Sequence, residues 1–537
     1  MYKKQQHQEE NYFMNLIPSK PQTTAPNYWC TWATQALTMT PETPTEIAFL
    51  GDQGLFGTRD NLNSRILFGE EGWARDWEGI RGDLIFLIDD GWDVPYLTRP
   101  QQQGFAFGSL IVDSVRFPEC TGTPAERLKV LNSKVREVGW RGLGIWVACQ
   151  PARSSESVQL SPEEMEHYWT ERLEWSREAG ILLWKVDWGK YARDLDFRRQ
   201  MTDLAHRIYP ELLLEHACTC GPMNGIEFDS AEQPIGNGAF GNDAESLERK
   251  QFIEGLAAFS GVCRTYDTVA PLFTATTIER AVFHLQSGFR KSFPMYVCTE
   301  DPPYLGTALG CTLGIMRSSR WVPTPDDATA LRAKRCTETI RAIRMQRIAP
   351  AFPANRGEII TSSERLTDSW LFPDESTWFR PLWNKKICQS APAVSARNME
   401  LPEVTAVESE KPFVVSTLHP NGTCLIASLP RLTPENGLRT PAAEVSVPVD
   451  CTTHTFGIFG EYSVLRLRCS GQKESIRIFA QDLAADAAEE ITGAVSISDG
   501  VLTIDGQLLH RIGTSAQDDL SDPGVVLTIQ SSEKHVL

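Results

Sequence analysis

The sequence has no long hydrophobic run. Its densest apolar stretches, such as Leu84 to Ile88, are only as long as a β-strand, whereas a helix that spans a bilayer needs about 20 apolar residues. The first residues, MYKKQQHQEENYF, also lack the apolar segment of a secretory signal. We therefore expect no membrane segment and a cytoplasmic location, although a signal trimmed upstream of this chain stays open.

Basic residues are scarce relative to acidic ones. The chain has 52 Lys and Arg against 69 Asp and Glu, a formal net charge of -17. Because phosphate recognition needs a positively charged face, this balance argues against a nucleic-acid partner. Hydrophobic residues make up 41% and charged residues 23%, values typical of a folded protein with a sizeable core.

Recognisable cofactor and metal motifs are missing too. The 13 cysteines are scattered and odd in number, which favours free thiols over a disulfide framework. Cys218 and Cys220, near Glu215 and His216, lack zinc-ligand spacing, so we interpret them as buried or pocket-lining thiols. The glycine-rich stretch 236–241 follows no strand and is predicted to be a loop. We expect no metal and no cofactor.

Short apolar runs alternate with segments of helical length from about residue 26 to 350, which predicts a (β/α)8 TIM barrel preceded by an N-terminal extension, residues 1–25. The eight candidate strands are Tyr28 to Ala33, Asp83 to Ile88, Gly142 to Ala148, Ile181 to Val186, Leu212 to Glu215, Val262 to Tyr266, Met295 to Val297 and Gly310 to Met316. Thr123, Ser161 and Thr324 each precede a proline and then an acid, the signature of a capped helix start. Gly139 and Gly180 are the expected helix ends.

Strand and turn signals dominate from residue 351 to 537. The turn pairs include Asn421-Gly422, which is also an N-glycosylation sequon with Thr423, Asp499-Gly500 and Asp505-Gly506. We predict an antiparallel β-sandwich domain, in one part or two, that braces the barrel.

Acidic residues stand repeatedly at the predicted strand ends, where the active site of a TIM barrel lies. They are Asp89 and Asp90 after strand 2, Asp187 after strand 4, Glu215 at the end of strand 5 and Asp267 after strand 6. Any one of them could simply form a turn or a cap. Lys185 and Asp187, however, point to the same side of a strand, and burying both is costly unless each has a partner.

Two carboxylates surrounded by tryptophan are what cleavage of a glycosidic bond requires. Six tryptophans fall in or beside predicted strand ends, although each alone also fits an ordinary core position: Trp29, Trp32, Trp92, Trp146, Trp184 and Trp188.

Three motifs, in order, resemble the melibiase-type α-galactosidases of glycoside hydrolase clan D. They are Ile88-Asp89-Asp90-Gly91-Trp92, Trp184-Lys185-Val186-Asp187 and Arg264-Thr265-Tyr266-Asp267, within a match over about residues 27 to 317. The resemblance implies retaining enzymes on a barrel with a C-terminal β-sandwich. It implies that Asp187 is the nucleophile and Asp267 the acid and base. It further implies sugar contacts from Asp89, Asp90, Lys185, Glu215 and Arg264, with Trp32 and Trp92 in the pocket.

The chain also departs from this family. Arg264 and Asp267 are three positions apart where lysosomal-type members usually have four, and a bulky Trp188 follows the predicted nucleophile. We expect a retaining exo-glycosidase acting on terminal α-galactosides of oligosaccharides or glycosides. The alternatives are a β-L-arabinopyranoside, an α-N-acetylgalactosaminide, or sugar binding without catalysis. A homo-oligomer stays open.

Overall fold

The computed structural model describes fourteen segments of the chain. They are residues 14–20, 25–37, 59–96, 105–153, 159–217, 226–227, 244–265, 273–320, 334–372, 385–433, 437–450, 452–469, 476–517 and 519–531. Among these residues, no helix is both long and apolar enough to cross a bilayer.

Eight parallel strands close into a barrel, as the sequence predicts. They are β1 (Tyr28–Cys30), β2 (Ile85–Ile88), β3 (Gly142–Val147), β4 (Leu183–Val186), β5 (Leu213–His216), β7 (Val262–Arg264), β8 (Tyr296–Thr299) and β9 (Thr312–Ile315). Lys185 of β4 is aligned with Trp146 of β3 on one side and with Glu215 of β5 on the other. This register places three residues of the predicted site at one level of the barrel.

Helices follow the barrel strands along the chain, with one more in the C-terminal part. They are α1 (Trp32–Leu37), α2 (Ser64–Phe68), α3 (Pro124–Glu137), α4 (Pro162–Ala179), α5 (Leu195–Ile208), α6 (Ala244–Ala257), α7 (Phe273–Phe289), α8 (Pro303–Ala308), α9 (Cys336–Gln346) and α10 (Gly506–Gly513). Short 3-10 turns cover Trp73–Arg75, Arg81–Asp83, Ala354–Arg356 and Thr492–Ala494.

The predicted helix caps are confirmed where the structure describes them. Thr123 and Ser161 both form capping boxes, and Gly180 ends α4 in the left-handed conformation with φ 68°. Thr324 lies outside the described residues. The first strand is shorter than predicted, because the chain turns into α1 at Trp32 instead of continuing to Ala33.

The C-terminal strands form the predicted sandwich. They are β10 (Ile359–Thr361), β11 (Arg365–Phe372), β12 (Lys385–Pro392), β13 (Val394–Arg397), β14 (Glu403–Ala406), β15 (Phe413–Leu418), β16 (Cys424–Leu429), β17 (Arg431–Thr433), β18 (Gly437–Arg439), β19 (Ala443–Val449), β20 (Thr455–Phe459), β21 (Val464–Cys469), β22 (Ile476–Asp482), β23 (Glu489–Glu490), β24 (Ser496–Ser498), β25 (Val501–Asp505) and β26 (Gly524–Ser531). An eight-stranded sheet, in the order β10-β13-β15-β16-β20-β26-β22-β23, packs on a five-stranded sheet that contains β19 and β21. Most pairs are antiparallel, as predicted, but β13 with β15, β16 with β20 and β19 with β21 are parallel.

The eight-stranded sheet is buried on both faces. Val414 and Ile426 belong to the sandwich core, whereas Val415 and Leu425 pack into the core shared with the barrel. This explains why β15 and β16 are almost continuously apolar, while β19 alternates between buried and half-buried residues. The sheet is therefore the middle layer of the molecule.

Two of the three predicted turns connect strands. Asn421-Gly422 joins β15 to β16, and Asp499-Gly500 joins β24 to β25 with positive φ at both residues. The prediction at Asp505-Gly506 was wrong, because the Asp505 carboxylate accepts the Gln507 backbone N–H and starts α10. An Asp before Gly serves a helix start as well as a turn.

Contacts between distant parts of the sequence join the two halves. In α9, Arg341 forms a bidentate ion pair with Asp482 of β22, and both side chains are fully buried. The short strand β6 (Ile226–Glu227), in the connection after β5, pairs with β12 of the C-terminal part. Near the N-terminus, the Leu16 backbone N–H donates to Gln481 Oε1 at 2.7 Å.

Candidate active site

Three of the predicted charged residues meet at the carboxyl end of the barrel. Lys185 Nζ lies 2.8 Å from Asp89 Oδ2 and 3.6 Å from Asp187 Oδ2, so one cation is shared by two carboxylates from different strands. All three side chains are at least nine-tenths buried. The predicted partnership of Lys185 and Asp187 is therefore present, and Asp89 completes it.

Asp89 is held in its charged form. Burial alone would raise the pKa of Asp89, but the charge of Lys185 and hydrogen bonds from Lys185, Asp90 and Cys30 together hold it below its ordinary value. The Cys30 thiol lies 3.0 Å from Asp89 Oδ2, and burial beside Asp89 raises the pKa of Cys30 well above its usual range. The thiol is thus a neutral hydrogen-bond donor.

A tryptophan contacts the predicted nucleophile. Trp146 Nε1 donates to Asp187 Oδ2 at 3.0 Å, and the Trp146 carbonyl accepts from Trp92 Nε1 at 2.9 Å. Trp92 is fully buried against this backbone. Sequence reasoning counted both tryptophans among the aromatic residues of the site, but no local pattern could show which carboxylate an indole N–H would reach.

Asp90 is engaged by side chains of the protein itself. Arg59 Nε and Nη2 donate to its two oxygens at 3.0 and 2.8 Å, and Trp188 Nε1 donates to Oδ2 at 3.2 Å. The Arg59 guanidinium also lies 4.5 Å from the ring centroid of Phe107. Arg59 was missed by sequence reasoning, since it precedes Asp90 by 31 positions without any motif.

A second charged cluster lies around Arg264. Arg264 Nε donates to Glu300 Oε1 at 2.6 Å, and Arg264 Nη1 lies 3.5 Å from Glu215 Oε1. Tyr28 donates its hydroxyl to the same Glu215 oxygen at 2.9 Å. Burial raises the pKa of Glu215, an effect that the nearby Arg264 charge offsets only in part. Glu215 and Glu300 therefore share one arginine, as Asp89 and Asp187 share Lys185.

Glu300 was also missed, although a signal for it existed. It directly follows β8, the same position relative to a strand that singled out Asp89 and Asp187. The candidate strand ended too early, at Val297 instead of Thr299, and this hid the acid at its carboxyl end.

The remaining residues of the sequence analysis are either outside the described residues or outside these two clusters. Asp267 lies outside the described residues, as do Cys218 and Cys220. Trp32 is half-buried at the start of α1, beside the inner layer of the barrel. His216 hydrogen-bonds to Thr202 Oγ1 at 2.8 Å and faces Arg198, and burial together with that arginine holds the pKa of His216 well below its usual range.

Several solved structures are similar to this chain. A GH27 β-L-arabinopyranosidase of Geobacillus stearothermophilus has a TM-score of 0.38 at 10% identity, covering 95% of this chain and 97% of the other. A Bacteroides fragilis protein proposed to be an α-galactosidase has 0.35 at 10% identity, with 95% and 80% covered. A homocysteine methyltransferase of Escherichia coli has 0.29 at 14% identity, with 58% and 97% covered.

Neither a family model nor a curated protein matches this chain. The structural neighbours include glycosidases of different specificity and an enzyme of another class, all at TM-scores below 0.4. These likenesses therefore assign neither a family nor a substrate to the chain.

Proposed function

We propose that this chain is a retaining exo-glycosidase that hydrolyses terminal α-galactosides by double displacement. The observation that carries the proposal is the buried cluster of Asp89, Lys185 and Asp187. It lies at the carboxyl ends of β2 and β4, where TIM-barrel enzymes carry out their chemistry. A buried lysine between carboxylates favours their charged forms, and a retaining glycosidase attacks the sugar with a charged carboxylate.

In the first step, an Asp187 oxygen attacks the anomeric carbon of the bound sugar. A bond forms between that oxygen and the carbon, and the bond to the aglycone oxygen breaks with its electron pair. Asp267 supplies the proton that the departing oxygen takes up, in the role that the sequence resemblance implies. The result is a glycosyl ester on Asp187 and a free alcohol.

In the second step, water replaces Asp187 on the anomeric carbon. Asp267, now ionised, removes a proton from the water, whose oxygen bonds to the carbon as the ester bond breaks. Two inversions at the same carbon retain its configuration. The clusters around Lys185 and Arg264 would bind the sugar hydroxyls, since buried charged groups of both signs can accept or donate hydrogen bonds.

A β-L-arabinopyranoside is the second candidate substrate, favoured by the bulk at Asp90. Arg59 and Trp188 donate hydrogen bonds to this carboxylate, and Phe107 packs on both of them. A pentopyranoside has the ring of galactose without the hydroxymethyl group, so it needs less room at such a position.

The test is hydrolysis of nitrophenyl glycosides by the wild type and by Asp187→Asn. The panel holds both anomers of galactose, L-arabinopyranose, N-acetylgalactosamine, glucose and fucose. We expect release from α-galactoside, with β-L-arabinopyranoside as the second-best substrate. The substitution should lower kcat by on the order of 10⁴-fold or more, because it removes the attacking charge.

Two further variants make this result decisive. Asp203→Asn changes an exposed carboxylate on α5 and should leave the rate unchanged. Asp187→Ala with added azide should recover activity and release a glycosyl azide, since azide replaces the lost nucleophile. Undiminished hydrolysis by Asp187→Asn would refute the assignment of the nucleophile, and sugar binding by a folded wild type without any hydrolysis would point to a binding protein.

A further inference from the structure

We infer that Trp146 is a positioning residue that holds Asp187 through Oδ2 and stabilises the charged form of this carboxylate. This inference rests on the proposed role of Asp187 as the nucleophile. Trp146 Nε1 donates to Oδ2 at 3.0 Å, and Lys185 Nζ lies 3.6 Å from the same oxygen. Trp146 and Lys185 therefore act on the same carboxylate oxygen.

The hydrogen bond from Trp146 is built into the barrel. Trp146 lies on β3 and Asp187 directly follows β4, and the Asp187 backbone N–H donates to the Val147 carbonyl at 3.0 Å. The donor and the acceptor therefore sit on two strands joined by their own backbone hydrogen bonds. Only 1% of Trp146 is exposed, so its ring has little freedom to leave the carboxylate. Such a fixed donor needs no rearrangement when the charge on Asp187 changes.

Neighbouring aromatic rings hold the indole in place. The Trp146 ring centroid lies 5.7 Å from Phe107 and 5.3 Å from Trp188. Trp188 itself donates an indole N–H to Asp90 Oδ2 at 3.2 Å. Trp146 and Trp188 thus donate their indole N–H groups to two different carboxylates of the candidate site.

The hydrogen bond from Trp146 to Asp187 affects both steps of the proposed reaction. The hydrogen bond to Oδ2 is strongest while Asp187 carries a full negative charge, and weaker when Asp187 is an uncharged ester. It therefore favours the ionised nucleophile in the free enzyme. It also favours the departure of Asp187 in the second step, when the negative charge returns.

Trp146→Phe removes the N–H and keeps most of the ring. We expect the acid limb of the kcat/KM profile to move to higher pH by about one unit. Hydrolysis of the glycosyl ester on Asp187 should slow by about 10-fold. Because this second step limits turnover of an activated nitrophenyl substrate, kcat and KM should fall together. Trp140→Phe, which loses an indole N–H that donates to the Ala74 carbonyl instead, should leave the acid limb where the wild type has it.

The indole signal of Trp146 gives a readout that needs no turnover. In protein labelled with ¹⁵N-tryptophan, Trp146→Phe identifies the resonance, and Asp187→Asn should shift its proton upfield because the charged acceptor is gone. An unshifted resonance, or an acid limb that stays in place in folded Trp146→Phe, would overturn the inference even if azide rescue confirms the nucleophile. Failure of the azide rescue, with the indole shift present, would instead refute the proposed reaction and with it the catalytic part of this inference.

Discussion

Asp93, three residues after Asp90, is a buried carboxyl. Among the described residues, no cationic side chain forms an ion pair with it. Its Oδ2 accepts the backbone N–H groups of Gly108 and Leu110, both at 3.1 Å. Burial outweighs these bonds and raises the pKa of Asp93 to about 6. Since an unfolded Asp has a pKa of about 3.9, the folded state holds this proton more tightly, and the resulting stability is present below pH 4 and lost as the pH rises through 6.

Asp93→Asn should therefore change the pH dependence of unfolding. The amide keeps an oxygen for the two N–H donors and carries no charge at any pH, so the variant should gain about 2–3 kcal/mol relative to the wild type between pH 4 and pH 7. Urea unfolding at both pH values measures this difference, with exposed Asp203→Asn as the baseline. Equal pH dependence in the wild type and Asp93→Asn would show that Asp93 titrates normally.

At the residue scale, the sequence located Asp89, Asp187 and Glu215, but it missed Glu300 and most of the partners of these four acids. Asp89, Lys185 and Asp187 could be predicted to meet because parallel strands present their carboxyl ends at one edge. Arg59 and Tyr28 reach the same level through long-range packing, which no spacing rule encodes. Which carboxylate holds which cation is settled only when the barrel closes.

Among the helices, α4 depends most visibly on its local sequence. Ser161 accepts the Glu164 N–H, and the Glu164 carboxylate accepts the Ser161 N–H in return. Ser161→Ala should cost about 1 kcal/mol of stability and lower the barrel's melting temperature by roughly 2 °C, with kcat and KM unchanged. Ser133→Ala in α3 is the control, because Ser133 lies inside a helix, where alanine is favoured; an equal loss in both variants would argue against the capping contribution.

The elements that the sequence predicted well are those with two independent signals. Apolar runs that alternate with helical segments gave all eight barrel strands, and caps combined with terminal glycines gave α3 and α4. The errors at Trp32 and Asp505 both lie at helix starts. The apolar run of the first strand continues into α1, and an Asp before Gly fits a helix cap as well as a turn. Parallel pairs in the sandwich could not be predicted, since pairing depends on the sheet order and not on any one strand.

At the scale of the whole molecule, Arg341 and Asp482 couple the barrel to the sandwich. Asp482 also accepts the Ala484 and Ala516 backbone N–H groups. Arg341→Met should destabilise the protein by about 3–5 kcal/mol, because it leaves a buried carboxylate without its cation. Adding Asp482→Asn should recover part of that loss, as calorimetric melting would show; no recovery in the double variant would mean that the packing of Arg341, rather than its charge, matters.

The bond between Leu16 and Gln481 spans 465 positions of the chain. At a translation rate of about 5–20 residues per second, the Leu16 N–H is synthesised roughly 20 to 90 s before its acceptor exists. Strand β6 likewise cannot form its pairing until β12 has been synthesised. In a nascent chain that stops before Gln481, all eight barrel strands can be complete while the Leu16 N–H still lacks its acceptor. The segment around Leu16 therefore reaches its final position only after Gln481 has been synthesised.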